Sequence, residues 1–261
     1  MKKKMSFFLM IVTLYYWSNN CLGQENIKIF KPATSSKEGG HVGGGDSVIC
    51  FSNDIDKNGN LNSKYLYAQY TLDYLVAFNN GTELADYSSN PEALGSIILL
   101  LQNKIPKFST EFEKFLLSFN QSGNDLLANY RWVSKATQNI PDEQVFDLKL
   151  PNFCEDVSSH LQGFNQAIFR KSSGKYVTFY YSPRIFKNVS YKGGFEIKGL
   201  ENNGTQLSWI LLHEFLRNYI QDAIEIRRIT ELFFSKQFKA VTEDQLVNFL
   251  TSTGIEEYYL K

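Results

Sequence analysis

The spacing of the apolar residues changes twice along this chain, and no other feature limits its architecture as tightly. From Ser63 to Phe78, Leu66, Tyr70, Tyr74 and Phe78 recur at helical spacing, with Leu72, Leu75 and Val76 beside them. That pattern predicts a helix over 63–78. Pro91 stands where a first-turn proline belongs, and an apolar helix is expected over 93–105, stopping at Pro106. Ser109 and Thr110 offer caps for a helix over 111–119, and another is expected over 124–133. Beyond Pro141 the period shortens. Val145, Phe146, Leu148 and Leu150 read as a strand ended by Pro151. Residues 163–170 and 176–181 read as a hairpin across Lys171-Ser172-Ser173-Gly174. Residues 183–204, rich in Lys, Gly and Asn, read as irregular. Helical spacing then returns for about 205–220, 222–236 and 243–251. Segregated helices and strands of this kind imply an α+β fold: a helix-rich single domain with a small antiparallel sheet.

The first 23 residues read as a secretory signal peptide. Lys2, Lys3 and Lys4 give a basic start, Met5 to Trp17 is broken only by Ser6 and Thr13, and Cys21-Leu22-Gly23 offers small residues before Gln24. Residues 24–46 read as a flexible, Gly-rich lead-in, and 47–261 as one globular domain. The whole chain has 27 basic and 27 acidic residues, and removing the leader would leave 24 basic against 27 acidic. That balance argues against a nucleic-acid partner and against strong attraction to anionic lipid. No later apolar run approaches the length of a membrane span, so no stable membrane anchor is expected after leader cleavage. The expected location is periplasmic or extracellular.

Two cysteines remain beyond the leader, Cys50 and Cys154. In an oxidising space they can pair, closing a long loop. The alternative is two separate buried thiols. There is no CxxC, and no Cys-based metal site is expected.

Three segments invite a chemical reading. The glycine run 39–45 precedes a β-prone stretch instead of following one, and Asp46 would repel phosphate, so it reads as lead-in. Asp54, Asp56 and Asn58 sit at positions 1, 3 and 5 of a calcium-type loop, with Gly59 at position 6. Position 12 is Tyr65 where a bidentate Glu belongs. A turn is therefore the simpler reading, calcium the weaker one, and no cofactor is expected. The third segment is the helix from Thr205, with His213 and Glu214 followed by Arg217. A zinc helix needs a second His where Arg217 stands. On a helical wheel His213 lies at the edge of the apolar face and Glu214 in the polar arc. An i,i+3 pair of Glu214 with Arg217 is one reading; a catalytic acid–base pair of His213 and Glu214, with Arg217, Asp222 and Arg227 as supporting groups, is the other.

Four ordered segments resemble a group of uncharacterised exported bacterial proteins. Gly45-Asp46-Ser47-Val48-Ile49-Cys50 is similar to that group's GDSVVC segment. Leu150-Pro151 with Cys154, then Gln166-Ala167 with Arg170, match a later pair of motifs. Leu211-Leu212-His213-Glu214, Arg217, Asp222 and Arg227 match its LxHE helix, which departs from the group's pattern at Phe215-Leu216-Arg217-Asn218. The resemblance implies export and a shared fold. It implies no activity, since none is assigned to the group. Two functions follow from the residues: an exported binding or interaction protein of the cell envelope, or a secreted hydrolase using His213 and Glu214.

Overall fold

The computed structural model describes residues 45–52, 64–120, 129–135, 151, 153–154, 164–173, 176–190 and 194–260, and the first of these is Gly45. Strand β1 (Asp46–Phe51) follows at once and is buried along most of its length. Gly45 and Asp46, expected as the end of a flexible lead-in, thus belong to the core. Residues 1–44, and with them the leader, lie outside the described residues. So do the calcium-type loop of Asp54, Asp56 and Asn58 and the strand expected at 145–150.

Strand β2 (Tyr67–Thr71) pairs antiparallel with β1 and runs directly into helix α1 (Leu72–Asn79). The single helix expected over 63–78 is therefore strand in its first half. Short apolar runs are ambiguous between the two periods, and here pairing decides. The β-prone residues Tyr67, Tyr70 and Thr71 pair with β1, and Tyr67 and Ala68 pair with a later strand as well.

Helix α2 (Asn90–Lys104) carries Ser89 as N-cap, whose side chain accepts from the Glu92 N–H, with Pro91 in the first turn. Helix α3 (Pro106–Asn120) begins five residues earlier than expected. Pro106 both ends α2 and opens α3. It pushes Ile105 out of helical geometry, to φ −141°, and its own fixed φ suits a first helical position. Ser109 does not cap; its Oγ donates to the Ile98 carbonyl and ties the two helices together.

Strand β3 (Tyr130–Ser134) replaces the later part of the helix expected over 124–133. Strands β4 (Phe164–Gln166) and β5 (Ile168–Ser173) form one continuous stretch that changes sheet at Ala167. Strand β6 (Tyr176–Tyr181) pairs antiparallel with β5, as the hairpin reading predicts, and parallel with β3, but Lys171, Ser172 and Ser173, read as the turn, are paired strand. The stretch 183–204 is more ordered than expected. It holds a helical turn α4 (Pro183–Phe186), strands β7 (Val189–Ser190) and β8 (Glu196–Lys198), and a 3-10 turn at Leu200–Asn202. The result is two sheets, ordered β4-β1-β2-β8-β7 and β3-β6-β5. Each is mixed and not purely antiparallel, because β2–β8 and β3–β6 run parallel.

Helices α5 (Gln206–Leu216), α6 (Ala223–Phe234) and α7 (Glu243–Ser252) close the fold near their expected positions. Helix α7 starts in a full capping box, Thr242 with Gln245. The architecture is α+β, and the described residues fall in one compact unit, 32–261. Its core is aromatic. Phe108, Phe112 and Phe115 rise along one face of α3 and meet Phe215, while Phe179 of β6 lies between Phe115 and Trp132. Trp209 stacks on Phe234 with ring centroids 3.9 Å apart.

Candidate functional site

Helix α5 runs through the middle of the molecule, against β2 and helices α1, α2, α3 and α6. Every arc of it except Leu207 meets protein, so its polar residues are interior groups. His213 is 3% exposed and Glu214 is fully buried. The helical wheel places them relative to the apolar face but carries no information on how many neighbours surround the helix. A buried polar group needs a partner, and Gln206, Ser208, His213 and Glu214 each find one far away in sequence. Gln206 accepts from the Thr71 N–H at 2.8 Å and the Thr71 hydroxyl at 3.0 Å. The Ser208 N–H donates to Asn90 Oδ1 at 2.9 Å, and its hydroxyl donates to the Asn90 carbonyl at 3.0 Å.

His213 lies 2.8 Å, through Nδ1, from Oδ2 of Asp73 in the first turn of α1. One turn further along α5, Arg217 donates from Nε to His213 Nε2 at 3.1 Å. An acceptor at Nε2 leaves the ring proton on Nδ1, directed at the carboxylate. Arg227 of α6 brings its Nε to 3.7 Å from Asp73 Oδ1, an ion pair and not a hydrogen bond. Burial favours the neutral form of Asp73. His213, the Arg227 charge and the Thr230 hydroxyl outweigh it, and together they hold the carboxyl below its usual range.

Glu214 points the other way. Its Oε1 accepts from the Gly45 N–H at 2.5 Å. Among the described residues Oε2 has no hydrogen-bond partner. The Gly45 carbonyl in turn accepts from the Ala167 and Ile168 N–H groups at 2.9 and 3.3 Å. One glycine therefore joins α5 to the crossing between β4 and β5. It must be glycine for lack of space: a Cβ there would lie 2.5 Å from Ile210 Cγ1 and 3.3 Å from Glu214 Oε1.

Beside Glu214 runs a second polar chain. Arg170 of β5 donates to Asn218 Oδ1 at 3.2 Å, and Asn218 Nδ2 donates to the Tyr130 hydroxyl oxygen at 3.3 Å. Burial lowers the pKa of Arg170 and the like charge of Arg217 adds to it, while Glu214 and Tyr130 oppose. Burial raises that of Tyr130, and so does Glu111, against Arg170.

The residues singled out in sequence are thus mostly brought together, in a different arrangement from the one expected. His213, Arg217 and Arg227 share one network around Asp73. Glu214 belongs to a separate contact with Gly45. Asp222 stands apart: it is exposed and caps α6, accepting from the Ile224 and Glu225 N–H groups. Of the ordered motif segments, Asp46 pairs in register with Gln166, and Gly45 bonds both Glu214 and Ala167. Cys50 and Cys154 are joined, with S–S 2.11 Å and Cα–Cα 4.2 Å. Sequence reasoning missed Asp73 and Thr230. Asp73 lies 140 residues from His213, and its only local signal is that of an acidic residue in a first helical turn. Among the described residues no group of three or more acidic, Cys or His side chains is placed to hold a metal ion. No described helix is long and apolar enough to cross a membrane. Compared with family models, with curated proteins and with solved structures, the chain finds no match.

Proposed function

We propose that this is an exported protein of the cell envelope or its surroundings that works by binding a partner, and that the His213 network is architectural. The observation that carries this reading is the state of the imidazole. A general base needs a ring nitrogen open to substrate. Here Nδ1 faces Asp73 and Nε2 accepts from Arg217, in a side chain that is 3% exposed. The Cys50–Cys154 pair is compatible with export. One observation favours the alternative, a secreted hydrolase using His213 and Glu214: the buried Glu214 Oε2 has no partner among the described residues.

Thermal melting of His213→Gln and Glu214→Gln, beside a screen of chromogenic ester, glycoside and peptide substrates, separates the two. An architectural histidine predicts a loss of about 1–3 kcal/mol for His213→Gln, because an amide has the donor and acceptor for Asp73 and Arg217 but not the imidazole's spacing between them. It also predicts no turnover by the parent. A parent that turns over a substrate, with both variants melting like it and both inactive, would establish the hydrolase in its place.

A further inference from the structure

The outer face of the β3-β6-β5 sheet carries a pattern that the buried network does not explain. Side chains alternate across a strand, so Trp132, Phe179 and Arg170 face the core, and Arg131, Thr178 and Lys171 face out. Arg131, Lys135 and Lys171 are all exposed. None of the three strands contains an Asp or Glu. Arg131 and Lys171 flank Thr178 from opposite strands, about 10 Å apart, and Lys135 lies four residues beyond Arg131, about 13 Å along the strand. Two of the cations rest on rings: the Arg131 guanidinium lies 4.2 Å from the Tyr176 centroid, and Lys135 Nζ lies 5.7 Å from that of Tyr180. Tyr180 is itself stacked on Phe169, at 5.5 Å. The aromatic row holds the cations out along the sheet instead of presenting bare faces.

Resting on the reading of this chain as an exported binding protein, we infer that this face binds a linear acidic polysaccharide. Three spaced cations, with no anion on their strands, suit a polymer that repeats carboxylate or sulfate groups. Two rings that a stacking ligand would use already carry cations, which disfavours a single-stranded nucleic acid. An anionic membrane fits less well. Val133, 38% exposed, is the one large apolar side chain that this face shows prominently among the described residues, and it offers little to insert.

The test is affinity electrophoresis of the full mature chain in gels containing polygalacturonate, with neutral dextran as control, at two salt concentrations. The expected result is retardation by polygalacturonate alone. The triple variant Arg131→Gln, Lys135→Gln, Lys171→Gln should bind at least about tenfold more weakly, with a shallower dependence on salt. A second triple, Lys114→Gln, Lys236→Gln, Lys239→Gln, removes exposed cations elsewhere and should bind as the parent does. Circular dichroism checks that both variants fold. Parental binding by the first triple overturns the assignment of this face and leaves the binding-protein reading standing. Tighter binding to an oligothymidylate or to phosphatidylserine vesicles overturns the choice of partner. If the parent is not retarded at all, the inference fails. Esterase, glycosidase or peptidase turnover dependent on Glu214 would overturn the underlying reading as well.

Discussion

Helix α5 and the outer face of the β3-β6-β5 sheet both gather cations, and they put them to opposite uses. Around α5, Arg217 and Arg227 are buried and directed at His213 and Asp73. On the sheet, Arg131 and Lys135 lie in the open over tyrosine rings. An interior charge without its partner retains the full cost of leaving water, whereas an exposed one is simply rehydrated. The first arrangement therefore specifies structure. The second leaves its charge free to meet something outside the molecule. Net charge conceals this, because both sets enter the same count.

The sharpest way to break the comparison is Asp73→Ala. It leaves Arg227 unpaired in the interior and removes the acceptor of His213, so a loss of about 3–5 kcal/mol is expected in urea unfolding. The effect should also depend on pH with a definite sign. The folded carboxyl is held below its usual range, so its contribution is complete above the unfolded-state pKa. It declines as pH falls through that ordinary carboxylate range and vanishes below the lowered folded value. The stability difference between parent and variant should be flat near neutrality and close at the acid end. A gap that instead narrowed as pH rose above neutral would remove Asp73 from the role assigned to it.

A smaller loss is expected at the other interior contact. Gly45→Ala puts a methyl group against Ile210, which is buried and has little room to turn. Strain of that kind costs about 1–3 kcal/mol. Glu214→Gln should be milder, since an amide oxygen can still accept from the Gly45 N–H. Calorimetric melting that ranks the two in the reverse order would show that the charge of Glu214, rather than the close approach of Gly45, holds this corner together.

Much of the fold is legible wherever the signal is local. Two of the three closing helices carry their own caps, Asp222 for α6 and Thr242 with Gln245 for α7. The β5–β6 pair announces itself through its alternation, although the residues read as its turn, Lys171 to Ser173, continue the strand. The 67–71 strand is a different matter, because Tyr70 and Tyr74 fit a helical repeat, and only the backbone needs of β1 and β8 draw it into the sheet. Pro106 reads as a stop because a proline ends one helix in the same place that it starts another. At the candidate site His213 and Glu214 are visible as an unusual pair, but their partners Asp73 and Gly45 lie 140 and 169 residues away. No spacing rule reaches that far. Helix periodicity reports a face, and the burial of every face of α5 is a property of the assembled layers.

The smallest effect should come from the sheet, and it is the one that sharpens the contrast most. Arg131→Gln, Lys135→Gln, Lys171→Gln removes three charges, yet each side chain is exposed. Exposed cation–π contacts contribute roughly 0.5–1 kcal/mol each, and a glutamine retains part of the packing on the ring. Lys171 has no ring beneath it among the contacts described, so Arg131 and Lys135 should carry nearly all of whatever is lost. The triple variant should therefore unfold within about 1–2 kcal/mol of the parent, a smaller loss than the single change at Asp73. Removing like charges from one face also relieves their mutual repulsion, which works against even that modest loss. Urea unfolding at low and high salt distinguishes these contributions. Relief of repulsion raises the variant relative to the parent at low salt and fades as salt is added. A loss equal to that of Asp73→Ala would mean that the sheet cations are structural after all, and the contrast between the two regions would collapse.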